Sequence, residues 1–178
     1  NAVGGSTIIF AGAWPRALPS DFRVRSLDGV ADDWPIDYFE LLPYFYRTDR
    51  DFGVSGLPGD PAYPPDTEDA PMPPLPIGSA GLKVARGMTN LGWHWWPEFN
   101  SINSVNYDGR RPCVQRSTCQ SGCNEGAKAL TDLTHWPKAI ARGARLVTGA
   151  RVRRIETDKQ GLATGATWID RDGAEHFE

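Results

Sequence analysis

The sequence predicts a mixed α/β fold in which short helices and long loops are followed by a β-meander at the C-terminal end. Tyr38, Leu41 and Leu42 share one face of a predicted helix. Val152 and Ile155 alternate with charged residues, as in a strand with one face in water. Gly and Pro account for 19 and 15 of the 178 residues, well above their average combined share of about 12%. Much of the backbone is therefore expected to be irregular.

The composition is that of an ordinary globular domain, with 40% hydrophobic and 23% charged residues. No apolar run approaches the roughly 20 residues that a membrane helix needs. The net charge is -3, but its distribution is uneven. Residues 109–154 carry 10 basic and 2 acidic side chains, whereas acidic side chains outnumber basic ones on both sides. This basic block favours an anionic cofactor, and the acidic flanks argue against nucleic acid.

The N-terminal third is predicted to contain a glycine turn, a short apolar run over residues 8–14, and two helices. The first helix opens around Asp33, Trp34 and Pro35, because Pro is well tolerated in a first turn. Pro43 is expected to start the second helix, which ends before Gly53.

The middle of the chain is predicted to be a long loop followed by one helix. Residues 55–78 contain eight prolines, so they are expected to form an ordered loop or a lid. Ser79 is expected to cap a helix that ends at Trp93. The aromatic residues 93–97 either close a small core or line a pocket.

The C-terminal part is predicted to change from helix to strands. A helix begins at Thr131 or Thr134 and stops at Gly143, and residues 145–148 form a buried strand. Strands around residues 152–156 and 162–169 follow, and a turn over residues 170–173 continues them into a β-meander.

Three cysteines form the most distinctive motif. Cys113, Cys119 and Cys123 lie within eleven residues at a C-x5-C-x3-C spacing. A loop rich in Gly and polar residues offers backbone amides to thiolates, as in proteins that hold iron-sulfur clusters. The basic side chains of Arg110, Arg111, Arg116 and Lys128 would offset the negative charge of such a site. A zinc site completed by His94 or His135, and a disulfide with one thiol left over, are the alternatives.

Gly4, Gly5, Ser6 and Thr7 form a second candidate site. Two glycines allow close backbone approach, and two hydroxyls can hydrogen-bond, so the loop could cradle a phosphate or a flavin edge. An ordinary turn explains the same residues. The three histidines lie in no catalytic motif, and no nucleophile elbow or zincin helix is present, so we assign no catalytic residue.

Read together, these segments resemble the glucose-methanol-choline (GMC) oxidoreductase family of flavoenzymes over nearly the whole chain. The resemblance rests on the order and spacing of several short motifs rather than on one of them. They are residues 4–7 with Trp14 and Arg16, residues 33–36 and 42–45, residues 53–56, Gly122-Cys123 with residues 126–128, and residues 149–155.

The resemblance implies two cofactors. Residues Gly4, Gly5, Ser6 and Thr7 would lie along the flavin and pyrophosphate of FAD, and the backbone of Val152 would hold the adenine. The cysteine spacing is similar to that of family members that carry a [3Fe-4S] cluster, with Cys113, Cys119 and Cys123 as its ligands. Such members are dehydrogenases that take hydride from the CH–OH group of a sugar, polyol or other alcohol. Their electrons leave through the cluster to a cytochrome-type acceptor subunit.

The same resemblance divides the chain into four regions. Residues 1–34 and 131–178 would belong to an FAD-binding domain, residues 35–108 to a cap or substrate region, and residues 109–130 to the cysteine cluster loop. The dinucleotide fingerprint and the catalytic His of the family would lie outside this stretch. The chain by itself is therefore expected to be a fragment that is inactive, binds FAD weakly or not at all, and covers its unpartnered apolar surface by self-association or rearrangement.

The resemblance also implies a periplasmic location with membrane association through partner subunits. A self-standing, zinc-stapled module that binds a ligand and has no redox activity is the alternative from a different functional class.

Overall fold

A computed structural model of the chain describes residues 2–178. Asn1, the first residue of the predicted 1–34 region, lies outside them. The chain divides into two compact units, Asn1–Lys138 and Ala139–Glu178. Helices and a small antiparallel sheet occur together, which is compatible with the predicted mixed α/β class.

The centre of the first unit is built from short extended segments that are far apart in sequence. Ser55 exchanges backbone hydrogen bonds of 2.8 and 2.9 Å with Asn100. Residues on either side of Asn100 continue this ladder, since Trp14 N donates to Phe99 O and Ser101 N donates to Gly12 O, both at 2.8 Å. Small and apolar side chains fill the core around these segments. They include Phe22, Tyr38, Val54, Met72, Ile102, Ala127 and Ala129.

The part of the chain that the structure describes contains five α-helices. They are α1 (Val24–Asp28), α2 (Tyr38–Phe52), α3 (Ser79–Asn90), α4 (Thr131–Thr134) and α5 (Trp136–Ala141). Three 3-10 turns add to them, at Gly5–Ile8, Pro19–Phe22 and Cys119–Ser121. Residues 53–78 lie between α2 and α3 as a loop, which includes the loop predicted over residues 55–78. Among the described residues, no helix is long and apolar enough to span a bilayer.

Helix α2 differs from the prediction of two helices because it runs straight through Pro43. Its start is fixed by a capping box: Asp37 accepts a hydrogen bond from Glu40 N at 2.9 Å, and Glu40 accepts one from Asp37 N at 2.8 Å. Its end is fixed by Gly53, which has a φ of 72°. Burial of Tyr38 and Tyr46 on either side of the proline outweighs the hydrogen bond that Pro43 cannot make.

Two further helix predictions are wrong in detail. Ser79 is the first residue of α3 rather than its cap, because Gly78 occupies the capping position and no side chain bonds there. The predicted helix from residue 131 or 134 to Gly143 is two short helices, α4 and α5, which break at His135.

The second unit contains the predicted β-meander. Strands β1 (Arg151–Thr157), β2 (Ala163–Ile169) and β3 (Glu175–Phe177) pair antiparallel in the order β1-β2-β3. The turn that joins β2 to β3 is held by Asp170, whose carboxylate accepts hydrogen bonds from the backbone N–H groups of Asp172 and Ala174 at 3.0 and 2.9 Å.

The predicted buried strand over residues 145–148 is wrong. This stretch is irregular, and Val147 is exposed. A run of two apolar residues fits a strand only where another strand pairs with it. The three strands of the described sheet are β1, β2 and β3, and none of them includes residues 145–148.

Candidate functional site

The glycine loop, residues 4–7, overlaps the 3-10 turn Gly5–Ile8, and Gly4 precedes that turn. Gly4 has a φ of 93° and Gly5 a φ of 52°, a left-handed backbone that favours glycine. Thr7 Oγ1 donates to Gly4 O at 2.5 Å and closes the loop on itself. Gly5 and Ser6 are exposed, so their backbone and hydroxyl groups are accessible.

Helix α4, which lies near the C-terminal end of the first unit, hydrogen-bonds to this loop. Thr131 N donates to Thr7 Oγ1 at 3.1 Å, and Thr131 Oγ1 donates to Gly4 O at 3.2 Å. The loop and the helix are 124 residues apart in sequence. These hydrogen bonds hold the loop and the helix together, and we call the pair the cradle; local sequence patterns do not reveal it.

Asp132 supplies an unsatisfied acceptor at this cradle. Its Oδ1 atom is buried and has no hydrogen-bond partner among the described residues. A Cβ added to Gly4 would lie 2.9 Å from that oxygen, so only glycine lets the loop pack this closely against Asp132. A buried carboxylate oxygen without a donor is costly unless a ligand supplies one. The accessible donors of the loop are the exposed backbone N–H groups of Gly5 and Ser6 and the Ser6 hydroxyl, which suit the phosphates of the flavin nucleotide that the resemblance implies.

The three cysteines line one cavity of about 350 Å³. All three are free thiols of intermediate exposure. Backbone amides point at two of the sulfurs: Gln115 N donates to Cys113 Sγ at 3.3 Å, and Lys128 N donates to Cys123 Sγ at 3.5 Å. This is the chemistry that iron-sulfur sites use to stabilise thiolates.

The sulfurs do not converge on a single ion. Within residues 2–178, no group of three or more His, Cys, Asp or Glu side chains is close enough to hold a metal ion. Neither the zinc alternative nor the three-cysteine cluster set thus receives support from a metal-binding group in this part of the chain. The alternative of a disulfide with one thiol left over is not observed, since all three thiols are free. The iron-sulfur ligand set stays a prediction, with one shared cavity and its amide donors in its favour.

The basic residues of the cysteine region have different partners. The guanidinium of Arg110 hydrogen-bonds to two backbone carbonyls. Its Nη2 donates to Phe52 O at 2.6 Å, and its Nη1 donates to Ala127 O at 3.1 Å. Burial lowers its pKa, and the charges of Asp108, Tyr107 and Cys123 oppose this, with Asp108 the largest. Arg116 pairs with Glu125 at 2.8 Å on the rim.

Lys128 is the one basic residue of this region that is fully buried. Its Nζ donates to the carbonyls of Ile8, Phe10 and Cys119 at 2.9, 2.6 and 2.5 Å. Burial lowers its pKa, and Cys119 and Cys123 oppose the shift. The sequence pattern identified Lys128 as a positive charge near the cysteines but gave no signal of its contacts with residues 8 and 10.

Val152, the residue expected to hold the adenine, lies in β1 of the second unit. It pairs with Trp168 in the register of the sheet, and its side chain is 58% exposed. Its role stays a prediction.

Arg16, which the sequence offered only as part of a motif, is the centre of a buried ionic network. Its guanidinium donates to Asp49 Oδ2 at 2.5 Å and to Asp66 Oδ1 at 2.7 Å. Trp14 Nε1 donates to the other oxygen of Asp49 at 2.8 Å. Burial opposes the charge of Arg16, but the two carboxylates outweigh it and hold its pKa above the usual value.

An aromatic cavity of about 120 Å³ adjoins this network. Trp96 and Phe99 line it together with Trp14 and Arg16. The aromatic segment 93–97 therefore contributes to a pocket, one of the two roles expected for it.

Each of the three histidines has a polar side-chain partner. Thr134 Oγ1 lies 2.8 Å from His135 Nδ1, His94 Nε2 lies 2.8 Å from Asp60, and His176 Nε2 lies 2.7 Å from Asp170. Nothing in these contacts marks a catalytic base.

Comparison with known proteins gives several relatives, although no family model matches the chain. The chain is 46% identical over 179 aligned positions to 2-methyl-1,2-propanediol dehydrogenase of Mycolicibacterium austroafricanum, covering 99% of this chain and 32% of that protein. It is 32% identical to the fructose dehydrogenase large subunit of Gluconobacter japonicus, covering 98% of this chain and 32% of that protein. An uncharacterised GMC-type oxidoreductase of Mycobacterium tuberculosis is 36% identical over 104 residues, 58% of this chain and 15% of that protein.

The chain spans about a third of the length of the first two relatives, 32% in each case. The match to both extends over nearly the whole of this chain, and so includes the glycine loop, the cysteine loop and the meander. These similarities support the assignment of the chain to the GMC oxidoreductase family.

Proposed function

We propose that the chain forms part of an FAD-dependent dehydrogenase that oxidises the CH–OH group of a polyol, sugar or other alcohol. The observation that carries the proposal is the cradle of the glycine loop and α4. There, Gly4 packs closely against Asp132, and the backbone of Gly5 and Ser6 is exposed to an incoming nucleotide. The relatives named as dehydrogenases of a diol and of fructose support the substrate class.

In this proposal the chain's own residues bind and orient the cofactor. Thr131 and Thr7 fix the path of the glycine loop, and Gly4 and Gly5 let the nucleotide approach the backbone closely. Val152 would hold the adenine. When bound, FAD supplies the hydride acceptor for the alcohol carbon. We do not assign any residue of this chain as the base that removes the proton of the alcohol hydroxyl.

We further propose that Cys113, Cys119 and Cys123 ligate an iron-sulfur cluster of the [3Fe-4S] type, which supplies one-electron transfer. The shared cavity and the amide donors to two of the sulfurs support this. Electrons would then pass to a cytochrome-type acceptor subunit in the periplasm, with membrane association through partner subunits. The name of the fructose dehydrogenase relative, a large subunit, supports the existence of such partners.

The test is anaerobic purification of the protein that the full reading frame encodes, followed by flavin, iron and acid-labile sulfide analysis. We expect about one FAD, three irons and four sulfides per chain. Cys119→Ser should remove iron while FAD stays bound, and Gly4→Val should remove FAD while iron stays bound.

Ser117→Ala is a matched control for the cysteine variant, since Ser117 lies in the same loop, and it should change neither cofactor. Stoichiometric zinc without iron would favour the zinc-stapled binding module. FAD without iron or sulfide would overturn the electron path and leave the flavin proposal in place.

A further inference from the structure

The aromatic cavity of the first unit has four rings in its wall, those of Trp14, Tyr63, Trp96 and Phe99. The polar donors on these rings are already bound by the protein. Trp14 Nε1 donates to Asp49 at 2.8 Å, and Trp96 Nε1 donates to a backbone carbonyl at 2.7 Å. The Tyr63 hydroxyl donates to another backbone carbonyl at 3.0 Å. The rings are therefore held in place, and they offer a ligand their faces rather than hydrogen-bond donors.

Three carboxylates line the same cavity, those of Asp60, Asp66 and Glu98. Asp60 and Asp66 are each 16% exposed, so water solvates them only in part. Within residues 2–178, the hydrogen bonds that these two aspartates accept all go to Oδ1. The Oδ2 atom of each aspartate therefore keeps its lone pairs for a further donor.

The charge of the cavity wall is negative, because three carboxylates face one guanidinium. The charge of that guanidinium, Arg16, is already balanced by Asp49 and Asp66. Its Nε atom is buried and has no partner among the described residues, so it is closed to a ligand as well. The cavity thus attracts cations and repels anions.

These features distinguish between classes of ligand. A hydroxyl group both donates and accepts, and the ring donors that could satisfy its acceptor side are in use. A primary ammonium group carries three donors and no acceptor, so carboxylate oxygens satisfy it fully. Its positive charge is also attracted to the faces of Trp and Tyr rings. A cavity of about 150 Å³ holds benzene, so 120 Å³ suits a cation with about five heavy atoms.

We propose that the aromatic cavity binds the primary ammonium group of a small organic cation. The Asp60, Asp66 and Glu98 carboxylates accept its N–H groups, and the aromatic rings contact its charge and its alkyl carbons. This site goes beyond the proposed function, because neither a flavin nor a metal takes part in the binding. Its test therefore succeeds or fails independently of FAD and of the cysteines.

The test is titration of the full protein with n-butylammonium chloride at constant ionic strength, followed by tryptophan fluorescence, since Trp14 and Trp96 line the cavity. At pH 8 an alkylamine is protonated. The neutral control is 1-butanol, which has the same number of heavy atoms. We expect n-butylammonium to bind about tenfold more tightly than 1-butanol, the effect of one hydrogen bond to a charged group. Equal affinities, or no saturable change with n-butylammonium, would overturn the proposal.

Tetramethylammonium separates the two kinds of contact. It has the same charge and the same number of heavy atoms as n-butylammonium, but it has no N–H donor. We expect it to bind at least about threefold more weakly, because the carboxylates then make no charge-assisted hydrogen bond. An affinity equal to that of n-butylammonium would overturn the assignment of a primary ammonium group.

Asp60→Asn locates the binding in this cavity. The variant keeps an oxygen that can accept the 2.9 Å hydrogen bond from Ala62 N, and it removes the charge. It should weaken n-butylammonium binding about tenfold. Glu175→Gln, which removes a carboxylate that does not line the cavity, should leave binding unchanged. Wild-type affinity in Asp60→Asn would place the cation elsewhere and contradict the inference.

Glu98→Gln is the second variant, in case Asp60→Asn does not fold. Glu98 is exposed, so its replacement should not disturb packing, and its contribution to binding is screened by solvent. We expect n-butylammonium to bind about threefold more weakly to this variant. Unchanged binding would count against the proposal.

Discussion

Replacing Arg16 with Met should destabilise the first unit strongly. Arg16 is 11% exposed and its partner Asp49 only 3% exposed, so their contact belongs to the class of buried ion pairs. Removal of one partner of a buried pair leaves an uncompensated charge and costs about 3–5 kcal/mol. Met fills a similar volume, so the cost arises from the stranded Asp49 and Asp66 carboxylates rather than from a cavity.

A double-mutant cycle with Asp49→Leu tests this reasoning. If the cost is that of the stranded charge, the double variant should recover at least about 1.5 kcal/mol of the summed single losses. The measurement is urea unfolding followed by tryptophan fluorescence. Arg50→Met is the control, because its pair with Glu68 is about half exposed, and it should cost less than about 1 kcal/mol. A loss below about 1 kcal/mol for Arg16→Met would refute the assignment of Arg16 as a buried charge centre.

Two other predictions concern the glycine loop and the meander. Gly4→Ala should lower the free energy of unfolding by about 1–2 kcal/mol, because Gly4 has a φ of 93° and the new Cβ would crowd Asp132. The control is Gly5→Ala in the same urea titration. Gly5 has a φ of 52° and open space around it, so this variant should lose less stability. The pKa of Glu156 is held below its usual value by hydrogen bonds from Thr167 and Arg154. Thr167→Val should therefore raise that pKa toward the ordinary value in an NMR titration, and an unchanged pKa would contradict the bond. A carboxyl with a lowered pKa stabilises the fold above its unfolded pKa and loses this effect as the pH falls through the folded value, so the variant should lose less stability on acidification.

The meander could be predicted because its signals are local. The alternation in β1 and the turn residues around Asp170 act within a few positions of one another. The position of Arg145 to Thr148 could not be predicted in this way, since two adjacent apolar residues fit a strand, a helix or an irregular segment equally well. Whether such residues form a strand depends on a second strand that pairs with them. The presence of that strand is determined by other parts of the sequence.

The cysteine loop was identified from spacing alone, but its detailed geometry was not. The sequence placed Arg110 and Lys128 together as charges that offset thiolates. In the structure, Arg110 turns to the carbonyls of Phe52 and Ala127, while Lys128 reaches residues far away in sequence. Composition and spacing report how much charge a segment carries, whereas the direction of each side chain depends on the packing of distant segments.

The same distinction applies to the nucleotide cradle. The sequence Gly-Gly-Ser-Thr by itself is compatible with an ordinary turn. Only the contacts of this loop in the structure distinguish it from one. Thr131 bonds to Thr7 and to Gly4, and the neighbouring Asp132 then presents an oxygen that the protein itself does not satisfy. We propose that the exposed part of this loop receives a nucleotide ligand, and the loss of FAD but not of iron in Gly4→Val is the result that this proposal predicts.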